Sequence, residues 1–114
     1  MPPAKSSSKR ELLPGTLDML VLKTLTLGSL HGYGIAQHIQ RLSHEVLRIE
    51  EGTIYPALQR MRQRGLIAAS WRQTPNNQRA RYYTITAAGR RHLGQEEAGF
   101  AAIMEAIARV MGHA

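Results

Sequence analysis

The segment from Glu51 to Gly65 constrains the fold of this 114-residue chain more than any other stretch. It predicts one short helix, because Ile54, Leu58 and Met61 follow each other at intervals of four and three residues and form a single apolar stripe. Gly65 stands where a glycine ends many helices. The segment is therefore predicted to pack one face on a core and to leave the other face to solvent or a partner.

The opposite face of this predicted helix is polar and basic, with no acid after Glu51. Cations on such a face can meet DNA phosphates, and small residues near the N-terminus let the backbone approach base edges in the major groove. An ordinary surface helix with a solvated basic face is an equally open interpretation, because such helices are common. The residues assigned to this face are Thr53, Pro56, Ala57, Arg60, Gln63 and Arg64.

Positive charge is concentrated around this segment. Residues 48–91 contain nine arginines and two acids, so they carry the whole net charge of +7, while the rest of the chain is balanced. A local basic block of this kind points to a polyanionic partner such as nucleic acid.

Other classes of function are disfavoured. The chain has no cysteine for a disulfide or a thiolate metal site, and His31 and His38 lack a third ligand at a suitable spacing. It has no nucleophile with a paired base and no phosphate-cradling glycine loop, so we expect no enzyme, cofactor or metal. Residues 1–12 are polar and basic and are predicted to form a disordered tail, not a signal peptide. No stretch approaches the ~20 apolar residues of a membrane span, so we expect a cytoplasmic protein.

Two helices are predicted before the central one, at about residues 15–27 and 32–44. The first is apolar around well over half of its circumference, which implies a second covering surface from the C-terminal helix or another subunit. Within it, Asp18 should have a partner such as an arginine or a backbone N–H, since an unpaired buried carboxylate is costly. His31 is expected to form a hydrogen bond at the start of the second helix. The run Leu47–Ile49 is short and β-prone.

After the central helix the apolar pattern becomes alternating, which predicts an antiparallel hairpin over residues 66–86 with its turn at residues 73–78. Arg79 and Arg81 would lie near the tip. They could protect an edge strand against aggregation, but beside a basic helix we favour a wing that contacts phosphates. Trp71 could lie near an effector site or cover the sheet, and we favour the second.

Thr86 is a suitable N-cap for a last helix from Ala87 to Met111. The apolar residues of this helix form a coiled-coil-like stripe. The stripe could pack on its own domain, but dimerisation through this helix and the first helix explains both surplus apolar surfaces together. The residues assigned to this dimer or effector surface are Leu17, Val21, Phe100, Met104, Ile107 and Met111.

The predicted elements therefore run helix, helix, short strand, helix, strand, turn, strand and long helix. This order predicts a mainly α fold with a small antiparallel hairpin (α+β). We assign a winged helix-turn-helix domain to residues 13–86 and a C-terminal dimerisation helix to residues 87–114.

Five motifs follow one another between Leu13 and Arg91: GTLDMLVL from Gly15, LHGYGI from Leu30, EGTIYPAL from Glu51, GLI from Gly65 and RYYTITAAG from Arg81. Together, and in this order, they resemble the motifs of the PadR family of transcriptional regulators. The single C-terminal helix is similar to the short branch of that family.

The resemblance implies a homodimeric repressor that binds double-stranded DNA at a roughly palindromic operator. It implies that the helix Thr53–Arg64 enters the major groove and that the wing Asn76–Arg81 lies along the backbone. Tyr55 could contact a phosphate through its hydroxyl or pack, half-buried, against the second helix. The residues that are expected to contact DNA are Thr53, Tyr55, Ala57, Arg60, Arg64, Arg79 and Arg81.

Family members commonly respond to a small molecule, often aromatic or cationic and amphipathic, and some have none. If an effector exists as a further partner, we expect it to bind near the dimer interface, between the first helix and the C-terminal helix. A winged-helix module that binds protein and never reads DNA is the alternative from another class.

Overall fold

The computed structural model describes residue 12 and residues 14–113, so the predicted tail lies almost wholly outside the described residues. The fold is the predicted α+β winged helix-turn-helix with one long C-terminal helix. The helices in the described part are α1 (Pro14–Leu25), α2 (Gly32–Leu42), α3 (Glu51–Gln63) and α4 (Ala87–His113). The strands are β1 (Leu30–His31), β2 (Ile67–Gln73) and β3 (Arg79–Ile85).

The sheet is antiparallel in the order β1-β3-β2. Its first strand differs from the prediction, because Leu30–His31 pairs with Tyr83 and Tyr82, whereas Leu47–Ile49 forms no strand. The β-prone run instead packs in an irregular segment, with the side chains of Leu47 and Ile49 partly buried against the core. A strand of two residues is too short to show an alternating pattern, so β1 cannot be predicted from periodicity.

The core lies where α1, α2, α3, the sheet and the first part of α4 meet. Leu22, Leu25, Ile35, Leu58 and Met61 are among its fully buried side chains. The first helix is buried on more than one side, as predicted, and the protomer's own elements supply most of that cover.

The assignment of Leu17 and Val21 to a dimer or effector surface is wrong. Their side chains are only 3% and 0% exposed inside the protomer. The outer side of α1 is instead apolar at Leu20, and Leu27, two residues after the helix ends, is 72% exposed. A helix apolar on many sides does not reveal from its sequence which side its own domain covers.

Helix ends follow the predicted chemistry. The Gly34 N–H donates to His31 Nδ1 at 2.9 Å, so His31 caps α2 as expected. Gly65 has φ +76° just after α3, and the Gly89 N–H donates to Thr86 Oγ1 at 3.0 Å at the start of α4. The first helix ends at Leu25, two residues earlier than predicted.

A junction fastens the end of α3 to the start of α4. The Thr86 hydroxyl donates to the Gly65 carbonyl at 2.7 Å, and the Thr86 N–H donates to the Leu66 carbonyl at 3.1 Å. The Cα of Gly89 lies so close to the Leu66 carbonyl oxygen that a Cβ would overlap with it. The two helices are therefore joined by two hydrogen bonds and one close backbone contact, which restrict their relative movement.

Candidate nucleic-acid interface

The buried face of α3 consists of Ile54, Ala57, Leu58 and Met61, spaced as one side of a helix. Ala57 is 1% exposed, so its assignment to the DNA-facing side is wrong. It comes three residues after Ile54 and four before Met61, which places it on the apolar stripe. The small side chain of alanine does not indicate which side of a helix it occupies, so the sequence does not separate Ala57 from the polar residues of α3.

The solvent-exposed side chains of α3 include Thr53, Tyr55 and Gln59, and Arg64, the C-cap residue, is exposed as well. The helix packs against α1, α2 and β2 and leaves these four side chains at least partly open to solvent. It presents a hydroxyl, a phenol, an amide and a guanidinium, which are groups that hydrogen-bond to phosphates and base edges.

Arg60 is half exposed, but it has a partner inside the protein. One of its terminal nitrogens donates to Asp18 Oδ1 at 2.9 Å, which confirms that Asp18 is paired with an arginine. Burial raises the pKa of Asp18 above its ordinary value of 3.8, and the charge and hydrogen bond of Arg60 act in the opposite direction. Arg60 therefore fastens α3 to α1 in addition to any contact that it makes outside the protomer.

Tyr55 packs against the start of α2, as one of its two interpretations predicts. A Cβ on Gly32 would lie 2.6 Å from Tyr55 Cε1 and 3.1 Å from its hydroxyl oxygen, so the ring lies close against the glycine backbone. Burial, followed by the charge of Glu51, raises the pKa of Tyr55 above 10.0 and keeps the phenol protonated as a donor.

The hairpin places Trp71, Arg79 and Arg81 together near its tip. The guanidinium carbon of Arg79 lies 5.3 Å from the centroid of the Trp71 ring, and that of Arg81 lies 5.6 Å from it. Trp71 is 57% exposed and lies outside the buried core, so its predicted role in covering the sheet stays a prediction. The grouping with the two arginines was not predicted, because it depends on the register of the paired strands.

The basic character of this surface is not neutralised from within. Residues 52–95 contain no Asp or Glu. Among the ion pairs between described residues, Arg60 is the one arginine of α3 and the hairpin that takes part, through Asp18 on α1. Arg64, Arg79 and Arg81 are left to attract an external anion.

The distal half of α4 is a second uncovered surface. Its apolar side chains are 43–75% exposed, and they are Phe100, Ile103, Met104, Ile107, Val110 and Met111. A groove of about 390 Å³ also opens between α1 and α2, and Leu20, Leu27, Ile39, Leu42 and Leu47 line its apolar part. Exposed apolar patches of this kind mark association sites in soluble proteins.

The sequence model of the PadR-like family of transcriptional regulators matches residues 21–95, which is more than half of the chain. The chain belongs to this family. The resemblance to this family is thereby confirmed, and the protein is a DNA-binding transcriptional regulator and not an enzyme.

Solved structures of similar proteins agree with this assignment. A PadR family transcriptional regulator from Eggerthella lenta is 30% identical, over 85% of this chain and 82% of that one, with a TM-score of 0.71. A PadR family regulator from Clostridium difficile is 27% identical, over 83% and 97% of the two chains, with a TM-score of 0.73. A transcriptional regulator from Clostridium thermocellum is 27% identical, over 83% and 92%, with a TM-score of 0.76.

No helix in the described part of the PadR protein has the length and apolar character needed to span a bilayer.

Proposed function

We propose that this PadR protein is a homodimeric repressor that binds a roughly palindromic operator. In this proposal Thr53, Tyr55 and Arg64 on α3 contact the major groove, and Arg79 and Arg81 on the wing contact the backbone. Arg60, a further candidate contact, already bonds to Asp18, so we favour Arg64 over it for a phosphate. The acid-free stretch of residues 52–95 supports DNA over a protein partner.

The proposal of a dimer rests on the apolar half of α4, which the protomer leaves uncovered. Six large apolar side chains on one helix remain in water in the protomer. A second copy could cover them, either by pairing the two α4 helices or by seating α4 in the groove between α1 and α2. Both arrangements bury apolar surface of the same chain, so a homodimer needs no other partner.

We further propose that a small aromatic or amphipathic effector acts at this interface. Its site would include Phe100, Met104 and Ile107 on α4. Leu17 and Val21 are not part of this site, because their side chains are buried in the protomer's core. Methionine side chains adapt to varied apolar shapes, which suits such a site. An inducer must bind the DNA-free dimer more tightly than the DNA-bound dimer.

Footprinting on DNA upstream of the protein's own gene tests the proposal. We expect a protected, roughly symmetric site and a stoichiometry of two chains per site. The Thr53→Ala variant should lose about 1–3 kcal/mol of binding free energy on the operator and little on random duplex. Gln95→Ala, an exposed polar change at the start of α4, is the matched control.

Two results would count against this function. Equal losses on operator and random DNA would remove Thr53 from base recognition. If the protein showed no salt-dependent binding to DNA, the alternative would be favoured, which is a winged-helix module that binds protein.

A further inference from the structure

Trp71 is an aromatic side chain of the hairpin that the protein's core does not use. In the register of the sheet, Trp71 is the Cα partner of Arg81, and Gln73 is the partner of Arg79. Alternate residues of paired strands share a face, so Trp71, Arg81 and Arg79 lie on the face that buries Tyr83 closer to the core. Beyond the core this face is open, and the indole is left more than half exposed.

Two guanidinium groups converge on this single ring. The carbons at their centres lie 5.3 and 5.6 Å from the ring centroid, within the range of a cation–π contact. The attraction to the ring holds both side chains close to one place, although their like charges repel each other. The described residues provide neither arginine with a carboxylate.

Arg81 adds a second observation. Its Nε is buried and has no hydrogen-bond partner in the described protein. The near end of the side chain is therefore enclosed by packing, and Arg81 shares its face of the sheet with Arg79. Two guanidinium groups held at one ring without a counterion are suited to donate hydrogen bonds to an anion.

We propose that Trp71, Arg79 and Arg81 form a phosphodiester clamp on the wing, in which Trp71 is a positioning residue for the two arginines. The clamp grips the DNA backbone through the guanidinium groups, and the indole holds them in place before DNA arrives. This inference rests on the proposed contact between the wing and DNA, and it adds a role for Trp71 that charge alone does not supply.

The test measures affinity for random duplex DNA at several salt concentrations. Trp71→Ala leaves the net charge unchanged, yet it should weaken binding on the order of threefold to tenfold, because the arginines lose their cation–π support. Trp71→Phe keeps an aromatic face and should restore most of the affinity. Ser70→Ala, a neighbouring exposed position on the other face of β2, is the matched control and should have no effect.

A double-mutant comparison separates positioning from direct contact. In the Arg79→Ala, Arg81→Ala background, Trp71→Ala should cause no further loss of affinity, since no arginine is left to position. A full further loss there would show that the indole itself contacts DNA and would overturn the clamp. Unchanged affinity for Trp71→Ala in the wild-type background would overturn it as well.

Failure of the clamp can be distinguished from failure of the proposed repressor function. Operator recognition is read out by Thr53→Ala on specific DNA, whereas the clamp is read out on random duplex. Normal binding of Trp71→Ala to both operator and random duplex would leave the repressor standing and remove only the role of Trp71. Thermal unfolding of each variant identifies any loss that comes from misfolding.

Discussion

Asp18 and Arg60 connect α1 to α3 through one hydrogen-bonded ion pair. The sequence predicted that Asp18 has a partner, because a carboxylate among apolar residues needs one. It could not name Arg60, since the two residues lie 42 positions apart and only the packing of α1 on α3 brings them together. The same packing gives Arg60, which the sequence places among the expected DNA contacts, a structural role.

Removing Arg60 should therefore destabilise the protein as well as affect DNA binding. We expect Arg60→Ala to lower the free energy of unfolding at neutral pH by about 1–3 kcal/mol, because Asp18 loses its charged donor. Arg91→Ala, an exposed arginine on α4 whose charge is not among those that act on Asp18, is the matched control and should leave stability nearly unchanged. Urea unfolding measures both. Equal stability of the two variants would show that the ion pair contributes nothing.

The pH dependence of stability reports on Asp18 directly. Burial raises its pKa in the folded protein above 3.8, so the folded state binds this proton more tightly than the unfolded chain does. Stability from this group is then greatest below pH 3.8 and falls as the pH rises through the raised pKa. As the pH rises from 3.8 through the raised pKa, the free energy of unfolding of the wild type should therefore fall relative to that of Asp18→Asn. The opposite trend in urea midpoints would contradict the direction of the shift.

Ala57 offers a test of the corrected face of α3. Its side chain is buried beside Ile54 and Leu58, so Ala57→Leu should overpack the core and cost about 1–3 kcal/mol. Gln59→Leu, a change to the same side chain at an exposed position of the same helix, should cost little. Thermal unfolding separates the two, and similar melting temperatures would return Ala57 to the solvent-facing side.

At the scale of elements, the helices and the hairpin could be predicted because periodicity, caps and stop residues all act locally. The ends of α2, α3 and α4 follow from His31, Gly65 and Thr86, whose side chains or backbone act within a few residues. The strand β1 could not be predicted, because its existence depends on pairing with β3 about fifty residues later. The grouping of Trp71 with two arginines likewise depends on strand register.

The junction between α3 and α4 makes these elements move together. At its centre Gly89 lies against the Leu66 carbonyl, where a Cβ would overlap with backbone. Gly89→Ala should lower the free energy of unfolding by about 1–3 kcal/mol, because the backbone must shift to admit the methyl group. Gly94→Ala, on the same helix with open space around it, should be neutral or stabilising. Calorimetry compares the two variants. A stable Gly89→Ala protein would show that the junction can open freely.

At the scale of the whole molecule, the apolar half of α4 has no role in the protomer's core. A charged residue there should therefore break a dimer without unfolding the domain. We expect Ile107→Glu to shift the protein from dimer to monomer in light scattering, while its circular dichroism stays unchanged. Ala102→Glu, an exposed change away from the large apolar residues of the helix, is the control. A wild-type protein that is already monomeric would remove the proposed dimer.

A dimer also fixes how far apart the two recognition helices lie. Two α3 helices related by a two-fold axis should enter successive major grooves about 34–36 Å apart, or one turn of DNA. Each α3 is held rigidly to its own α4 through Thr86 and Gly89, so the protein cannot easily follow a change in half-site spacing. Inserting about five base pairs, half a turn, between the half-sites should place them on opposite sides of the duplex and reduce operator affinity to that of random DNA. A substitution of the same central base pairs without any insertion is the control. Full affinity for the lengthened operator would mean that two chains bind their half-sites independently, which is incompatible with a rigid dimer built on α4.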